Sequence, residues 1–183
     1  MLKKLKKSLA SVKTKEIVDI IVFGSAVKGK IKPGDIDLGV IFRESISFDI
    51  VKEIESKIKK LNLKAHISIL TVDDFFTSPH SLIRTMLIEG ISLMTGKAIA
   101  EQYGLSAYSL YSYSLKDMKA SEKVRFVYVV KGRKSRRGIV GELGGIWITD
   151  SCFISPMDKD DEFIEMLKKW GVRYKRKQIL LMN

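Results

Sequence analysis

Apolar positions along the chain change period in an order that reads as helix, strand, strand, helix, strand. Leu2, Leu5, Leu9 and Val12 recur at helical spacing, with Lys3, Lys4, Lys6 and Lys7 on the other faces, so the chain opens on an amphipathic helix that packs through one side and solvates its basic side. Ile20-Ile21-Val22-Phe23 reads as a strand that breaks at Gly24-Ser25, and Asp35-Ile36-Asp37-Leu38 opens a second apolar run reaching Phe42. Val51, Ile54, Ile58 and Leu61 return to three-and-four spacing behind Ser47, a suitable N-cap, which predicts a helix leading to a third strand over 63–70. Ser78-Pro79 caps a further helix with Leu82, Ile83, Met86 and Leu87 as its buried stripe; it stops at Gly90, and Ile91 to Met94 follows as a short edge strand. Helices packed on a small mixed sheet make an α/β (α+β) layer.

From Leu105 the pattern changes. Tyr108, Tyr111 and Tyr113 alternate with serines, which predicts core or hinge packing, with a base-stacking platform as the alternative. Val124 to Val130 reads as a strand, Gly132 to Gly138 as a basic hairpin loop and Ile139-Val140-Gly141 as the return strand. Ile146 to Ile148 and Phe153-Ile154 read as strands. Asp160-Asp161-Glu162 starts a helix that keeps Phe163, Ile164, Leu167 and Trp170 inside, and a basic strand closes the chain from Val172 to Leu181. The expected organisation is therefore a domain over 1–104 and a smaller basic α+β domain over 105–183.

With 183 residues and 45% hydrophobic content, the chain can bury one good core or two small ones. Its 33 Lys and Arg against 21 Asp and Glu give a net charge of +12, which favours a polyanionic partner. Residues 1–104 carry 17 basic and 12 acidic side chains and residues 105–183 carry 16 and 9, so the second part is the more basic. Seven cations and no acid fall between Lys123 and Arg137, and Arg173, Lys175, Arg176 and Lys177 add to them. Arg133, Lys134, Arg136 and Arg137 are the candidate contacts to a nucleic-acid backbone, because the nearest acid, Glu142, supplies a single charge. One cysteine, Cys152, excludes an internal disulfide framework and reads as a small core residue. No stretch reaches the ~18 apolar residues that span a bilayer, so no membrane partner and a cytoplasmic location are expected.

The chemistry concentrates between Ile21 and Ile41. Carboxylates two residues apart on a strand share a face at roughly 6.5 Å between Cα atoms, so Asp35 and Asp37 converge. Their repulsion, about 4 kcal/mol at 4 Å for an effective dielectric near 20, calls for a divalent neutraliser, and oxygen ligands favour Mg²⁺ or Mn²⁺. The apolar neighbours suggest that water is excluded there. Gly24-Ser25 at the preceding strand end suits an anion, since Gly admits close backbone approach. A phosphate grip facing a metal-binding pair is a kit for phosphoryl or nucleotidyl transfer.

The run F-G-S-A-V-K-G-K-I-K-P-G-D-I-D-L resembles the signature of the minimal nucleotidyltransferases of the DNA polymerase β-like superfamily. The resemblance implies that fold for 1–104, with Gly24 and Ser25 on the triphosphate of an incoming ATP or other NTP and Asp35 and Asp37 on the metal ions. Family members often place Arg after Gly-Ser; here Ala26 and Val27 stand, and Lys28 is the nearest cation. The family's usual third carboxylate falls on the 63–70 strand, which contains no acid. His66 or Ser68 occupies that position, and Asp73 and Asp74 lie beyond it. His66, between apolar neighbours, is expected to be a core histidine, with a role as third metal group left open. The implied activity is nucleotidyl transfer to a nucleic-acid acceptor; the alternatives are adenylylation of a partner protein in a toxin–antitoxin-like pair, or a nucleic-acid-binding protein that keeps the fold without the activity.

Overall fold

Period-two sorting of side chains builds the first sheet. The computed structural model describes residues 1–12, 15–27, 35–77, 80–134 and 136–182, and Lys28 and the Ser78-Pro79 cap lie outside them. Two compact units divide the chain, Met1–Leu105 and Ser106–Asn183. The first runs α1 (Leu2–Leu9), a 3-10 turn, β1 (Ile17–Phe23), a second 3-10 turn (Gly24–Ala26), β2 (Ile36–Phe42), α2 (Phe48–Lys60), β3 (Ala65–Thr71), α3 (Val72–Thr77), α4 (His80–Glu89), β4 (Ile91–Ser92) and α5 (Ile99–Gln102).

The strand order is β3-β2-β1-β4. β2 pairs parallel with β3, whereas β1 pairs antiparallel with β2 and β4, so the sheet is mixed, as the sequence predicts. Ile36, Leu38, Val40 and Phe42 of β2 point to one face and pack against Leu5 and Leu9 of α1 and Val51, Ile54 and Ile58 of α2. Each such side chain, fully buried, contributes about 1.5–3 kcal/mol. The alternate residues face the other side, where Ile21, Phe23, Ile41 and Leu70 meet Met86 of α4 and Ile99 of α5. Asp37 and Gly39 belong to this second face, and Gly39 makes room for α4: a Cβ there would lie 2.4 Å from Met86 Cε. On α1 Leu5 and Leu9 are buried, Leu2 is half-buried, and Lys3, Lys4, Lys6 and Lys7 are exposed, which is the packed helix the spacing predicts.

The second unit comprises β5 (Leu105–Ser114), α6 (Ala120–Lys131), β6 (Gly132–Arg133), β7 (Arg136–Arg137), α7 (Ile139–Glu142), β8 (Ile146–Thr149), β9 (Cys152–Pro156), α8 (Asp160–Lys169) and β10 (Arg173–Met182). Its main sheet has the order β10-β5-β9-β8. The core is aromatic: Tyr111 stacks on Phe153 at 5.1 Å between centroids, and Phe153 meets Phe163 at 5.0 Å. Tyr111 and Tyr113 are buried in it, which settles those two as core packing and removes them from any stacking platform. Both tryptophans sit under cations, Trp147 with Lys131 Nζ 5.1 Å from its ring centroid and Trp170 with the Arg125 guanidinium at 6.0 Å.

Two sequence expectations fail here. Val124 to Val130 lies in helix α6 and not in a strand, and Ile139 to Gly141 opens helix α7 and is no return strand. The apolar run misleads because its β-branched residues are on both faces of a helix: Phe126 and Val130, four apart, are buried, while Val124 and Tyr128, which a strand would place beside them, are exposed. Glu122 supports the helix start by accepting the Lys119 backbone N–H at 3.2 Å. Cys152 is half-buried on β9. Among the described residues no helix is long and apolar enough to cross a membrane.

Candidate active site

The β1–β2 ladder brings the motif residues together. Phe23, the last residue of β1, pairs with Asp37, so the Gly24-Ser25 turn begins beside the carboxylate. Gly24 has φ +69°, and a Cβ built on it would lie 2.4 Å from Asp37 Oδ2. Glycine is required twice over, by the left-handed backbone and by the close approach. Asp35 is exposed and immediately precedes β2; Asp37 is the second residue of that strand.

On the opposite side of Asp37, the parallel register sets His66 of β3 directly alongside it. His66 Nδ1 is 4.0 Å from Asp37 Oδ1, and its side chain is 81% exposed. His66 is therefore not a core histidine. Its apolar neighbours Ala65 and Ile67 face the α1–α2 side, while His66 shares the Asp37 side, where α3 and α4 do not cover this end of the sheet. Nor is the carboxylate pair shielded from water, since the Asp37 side chain is 38% exposed.

Asp74, one of the two acids beyond β3, is committed elsewhere. It accepts the Thr71 backbone N–H at 2.9 Å while Thr71 Oγ1 accepts the Asp74 N–H at 3.1 Å, a reciprocal cap that starts α3. The backbone hydrogen bond from Thr71, then its hydroxyl, hold the Asp74 carboxyl below the usual range. The Thr-x-x-Asp spacing signals this cap in the sequence. Ser68, two residues beyond His66, lies against Gly39 and further from the pair.

The Asp37 carboxylate and the His66 imidazole meet beside Gly24, and Asp35 precedes Asp37 by two residues; carboxylate oxygens are ligands for Mg²⁺ or Mn²⁺, and an imidazole favours Mn²⁺. Among the described residues no group of three His, Cys, Asp or Glu side chains stands ready for a metal ion.

The hairpin residues of the second unit are also placed. Arg133 pairs with Arg136 across β6 and β7, and Lys134 takes φ +55° in the turn. The Arg133 guanidinium lies 4.9 Å from the Tyr128 ring centroid. Arg133, Lys134, Arg136 and Arg137 are exposed, and among the described residues no acid pairs with them. In contrast, Arg176, counted with the basic residues of the closing strand, is ion-paired with the buried Asp160, which also accepts the Tyr111 hydroxyl at 2.8 Å. Sequence spacing does not reveal that triad, whose members lie 49 and 16 residues apart.

A family model described as polymerase beta, nucleotidyltransferase matches residues 3–98. Solved structures align with about half of the chain. A toxin–antitoxin complex with AMP-PNP is 19% identical with a TM-score of 0.38, the alignment covering 50% of this chain and 71% of that one. A mutant of the MntA–HpeT toxin–antitoxin is 16% identical at 0.38, covering 51% and 71%. The tri-AMPylated HEPN toxin of Shewanella oneidensis in complex with MNT antitoxin is 14% identical at 0.36, again covering 51% and 71%. No curated protein matches the chain.

Proposed function

The chain belongs to the polymerase beta nucleotidyltransferase family, and on that premise we propose that it transfers a nucleoside monophosphate from an NTP, ATP foremost, to a hydroxyl of a nucleic-acid acceptor. The observation that carries the assignment of the site is the contact of Gly24 with Asp37, beside His66. Gly24 and Ser25 hold the β- and γ-phosphates, with Lys28 as an added cation. Asp35 and Asp37 would hold Mg²⁺ or Mn²⁺, with His66 as the third group; such an ion would neutralise the triphosphate and the charge that develops on the leaving pyrophosphate. The acceptor oxygen forms a bond to the α-phosphorus, the bond from that phosphorus to the bridging oxygen breaks, and pyrophosphate leaves with the electron pair. The hydroxyl proton passes to solvent at this open site.

The basic hairpin and the excess charge of the second unit support a polyanionic acceptor. Incubating the chain with α-labelled NTPs, Mg²⁺ or Mn²⁺ and RNA tests the reading. Labelled RNA with stoichiometric pyrophosphate is expected, and Asp35→Asn and Asp37→Asn should each abolish both. Label on protein and none on RNA would replace the acceptor by a protein; RNA binding with no pyrophosphate from any NTP in either metal would leave a non-catalytic binding protein.

A further inference from the structure

The first unit has a concavity away from the carboxylate pair. Val72, Phe75 and Phe76 of α3, Gln102 and Tyr103 at the end of α5, and Asp19 of β1 line an opening of about 230 Å³, with apolar strand residues as its floor. In the β1–β2 ladder Asp19 pairs with Ile41 and Phe23 with Asp37. Four residues of strand, about 13 Å, thus separate Asp19 from the Phe23–Asp37 end of the sheet, although Ile21 on the floor of the opening lies nearer to it.

Asp19 is the one carboxylate in that lining. Its Oδ1 accepts the Ser92 hydroxyl at 2.8 Å and the Ile20 backbone N–H at 2.7 Å, which fixes the group in place. Burial raises its pKa above the usual carboxylate value, with the hydrogen bonds from Ser92, Ile20 and Met94 opposing the shift. Among the described residues no cationic side chain pairs with it, although the chain carries a net charge of +12. The fold partly desolvates a negative charge and, among the described residues, gives it no counter-ion.

The walls point to what would neutralise it. Phe76 is 77% exposed and Tyr103 68% exposed, whereas such rings ordinarily bury 150–250 Å² each, about their whole surface. Ring faces attract cations through their quadrupole, most strongly soft, weakly hydrated ones. Lysine-like ammonium groups keep a tight water shell that Asp19 and Gln102 replace only in part, whereas a quaternary nitrogen has no N–H to satisfy. The volume lies below the roughly 300–1,000 Å³ of most small-molecule pockets, so a compact ion fits and a nucleotide does not. We propose that the Asp19 cavity binds a small quaternary ammonium ion, with Asp19 as its counter-ion and Phe75, Phe76 and Tyr103 around its methyl groups.

Choline is a suitable probe, set against its neutral carbon isostere, in which the quaternary nitrogen is replaced by carbon. Titrating each into the full chain, followed by ligand-observed NMR, should show saturable choline binding at least tenfold tighter than that of the isostere. Asp19→Asn should weaken choline at least tenfold. Phe76→Ala combined with Tyr103→Ala, at exposed positions that do not hold the fold, should do the same and keeps the test open if Asp19→Asn does not fold. Equal binding of the isostere, no saturable choline binding, or full affinity in the aromatic double variant would overturn the proposal. Displacement of choline by ATP with Mg²⁺ would overturn it too, by joining the cavity to the nucleotide site.

Discussion

At the scale of single residues, the site depends on contacts too close to tolerate one added atom. Gly24→Ala adds a methyl 2.4 Å from Asp37 Oδ2 and forces an L-residue into φ +69°, so either the turn or the carboxylate must move. Calorimetry with ATP and Mg²⁺ should show at least a tenfold loss of affinity in Gly24→Ala; parent affinity would show that Asp37 does not face the nucleotide. His66→Ala should reduce Mn²⁺-supported turnover more than Mg²⁺-supported turnover, because imidazole is the softer ligand. Equal losses in both metals would remove His66 from the ligand set. A different residue governs alkaline stability. The Tyr113 hydroxyl donates to the Asp150 carbonyl at 3.0 Å, and burial, then the Asp150 carboxylate, pushes its pKa up to about 12. Unfolded tyrosine ionises near about 10, so the folded state holds this proton more tightly. That contribution is complete below about pH 10 and is lost as pH rises through the folded value. Tyr113→Phe has no such proton, and its melting temperature should fall less steeply across this window than the parent's. Identical slopes would mean that Tyr113 is not the group that titrates.

At the scale of elements, legibility follows the contrast between faces. The first sheet is readable because each strand shows one partner face to α1 and α2 and a different one to α4 and α5, so alternation survives in the sequence. The Gly-Ser turn and the Asp-x-Asp pair are readable for a related reason, being local motifs whose partners lie at a strand end. Helix α6 is not readable, because Val124, Val127, Val129 and Val130 supply a β-branched run whatever their exposure. Only the depth of Phe126 and Val130 against the exposed Val124 reveals the helical period. Phe126→Ala should cost about 3–5 kcal/mol of unfolding free energy, while Val124→Ser should change it by no more than about 0.5 kcal/mol. Urea denaturation of both variants checks this; a costly Val124→Ser would put Val124 and Phe126 on one buried face, as in a strand. The exposure of His66 is hidden for the opposite reason: its neighbours describe one face of β3, and whether a helix covers the other face there is a tertiary fact. The Asp19–Ser92 hydrogen bond joins residues 73 positions apart, a span that no local pattern crosses.

At the scale of the whole molecule, charge and spectroscopy divide along the same boundary. Arg133, Arg136 and Arg137 stand on one exposed hairpin without acidic partners among the described residues. Each phosphate contact they make should contribute roughly 0.7 to 0.9 to the slope of log affinity against log salt. Replacing all three by Ala should flatten the slope for RNA by about two to three and leave Mg²⁺-ATP affinity unchanged. A triple variant with the parent's slope would place the nucleic-acid surface elsewhere. The tryptophans follow the same partition: both belong to residues 106–183, each with a cation over its ring. Ultraviolet emission excited at the indole band therefore reads the second unit alone, while circular dichroism in the far ultraviolet sums the backbone of both. If the two halves melt independently, Mg²⁺-ATP should shift part of the dichroism transition to higher urea and leave the emission midpoint where it was. If they melt as one cooperative body, nucleotide bound to a half that contains no tryptophan would be reported by indoles in the other.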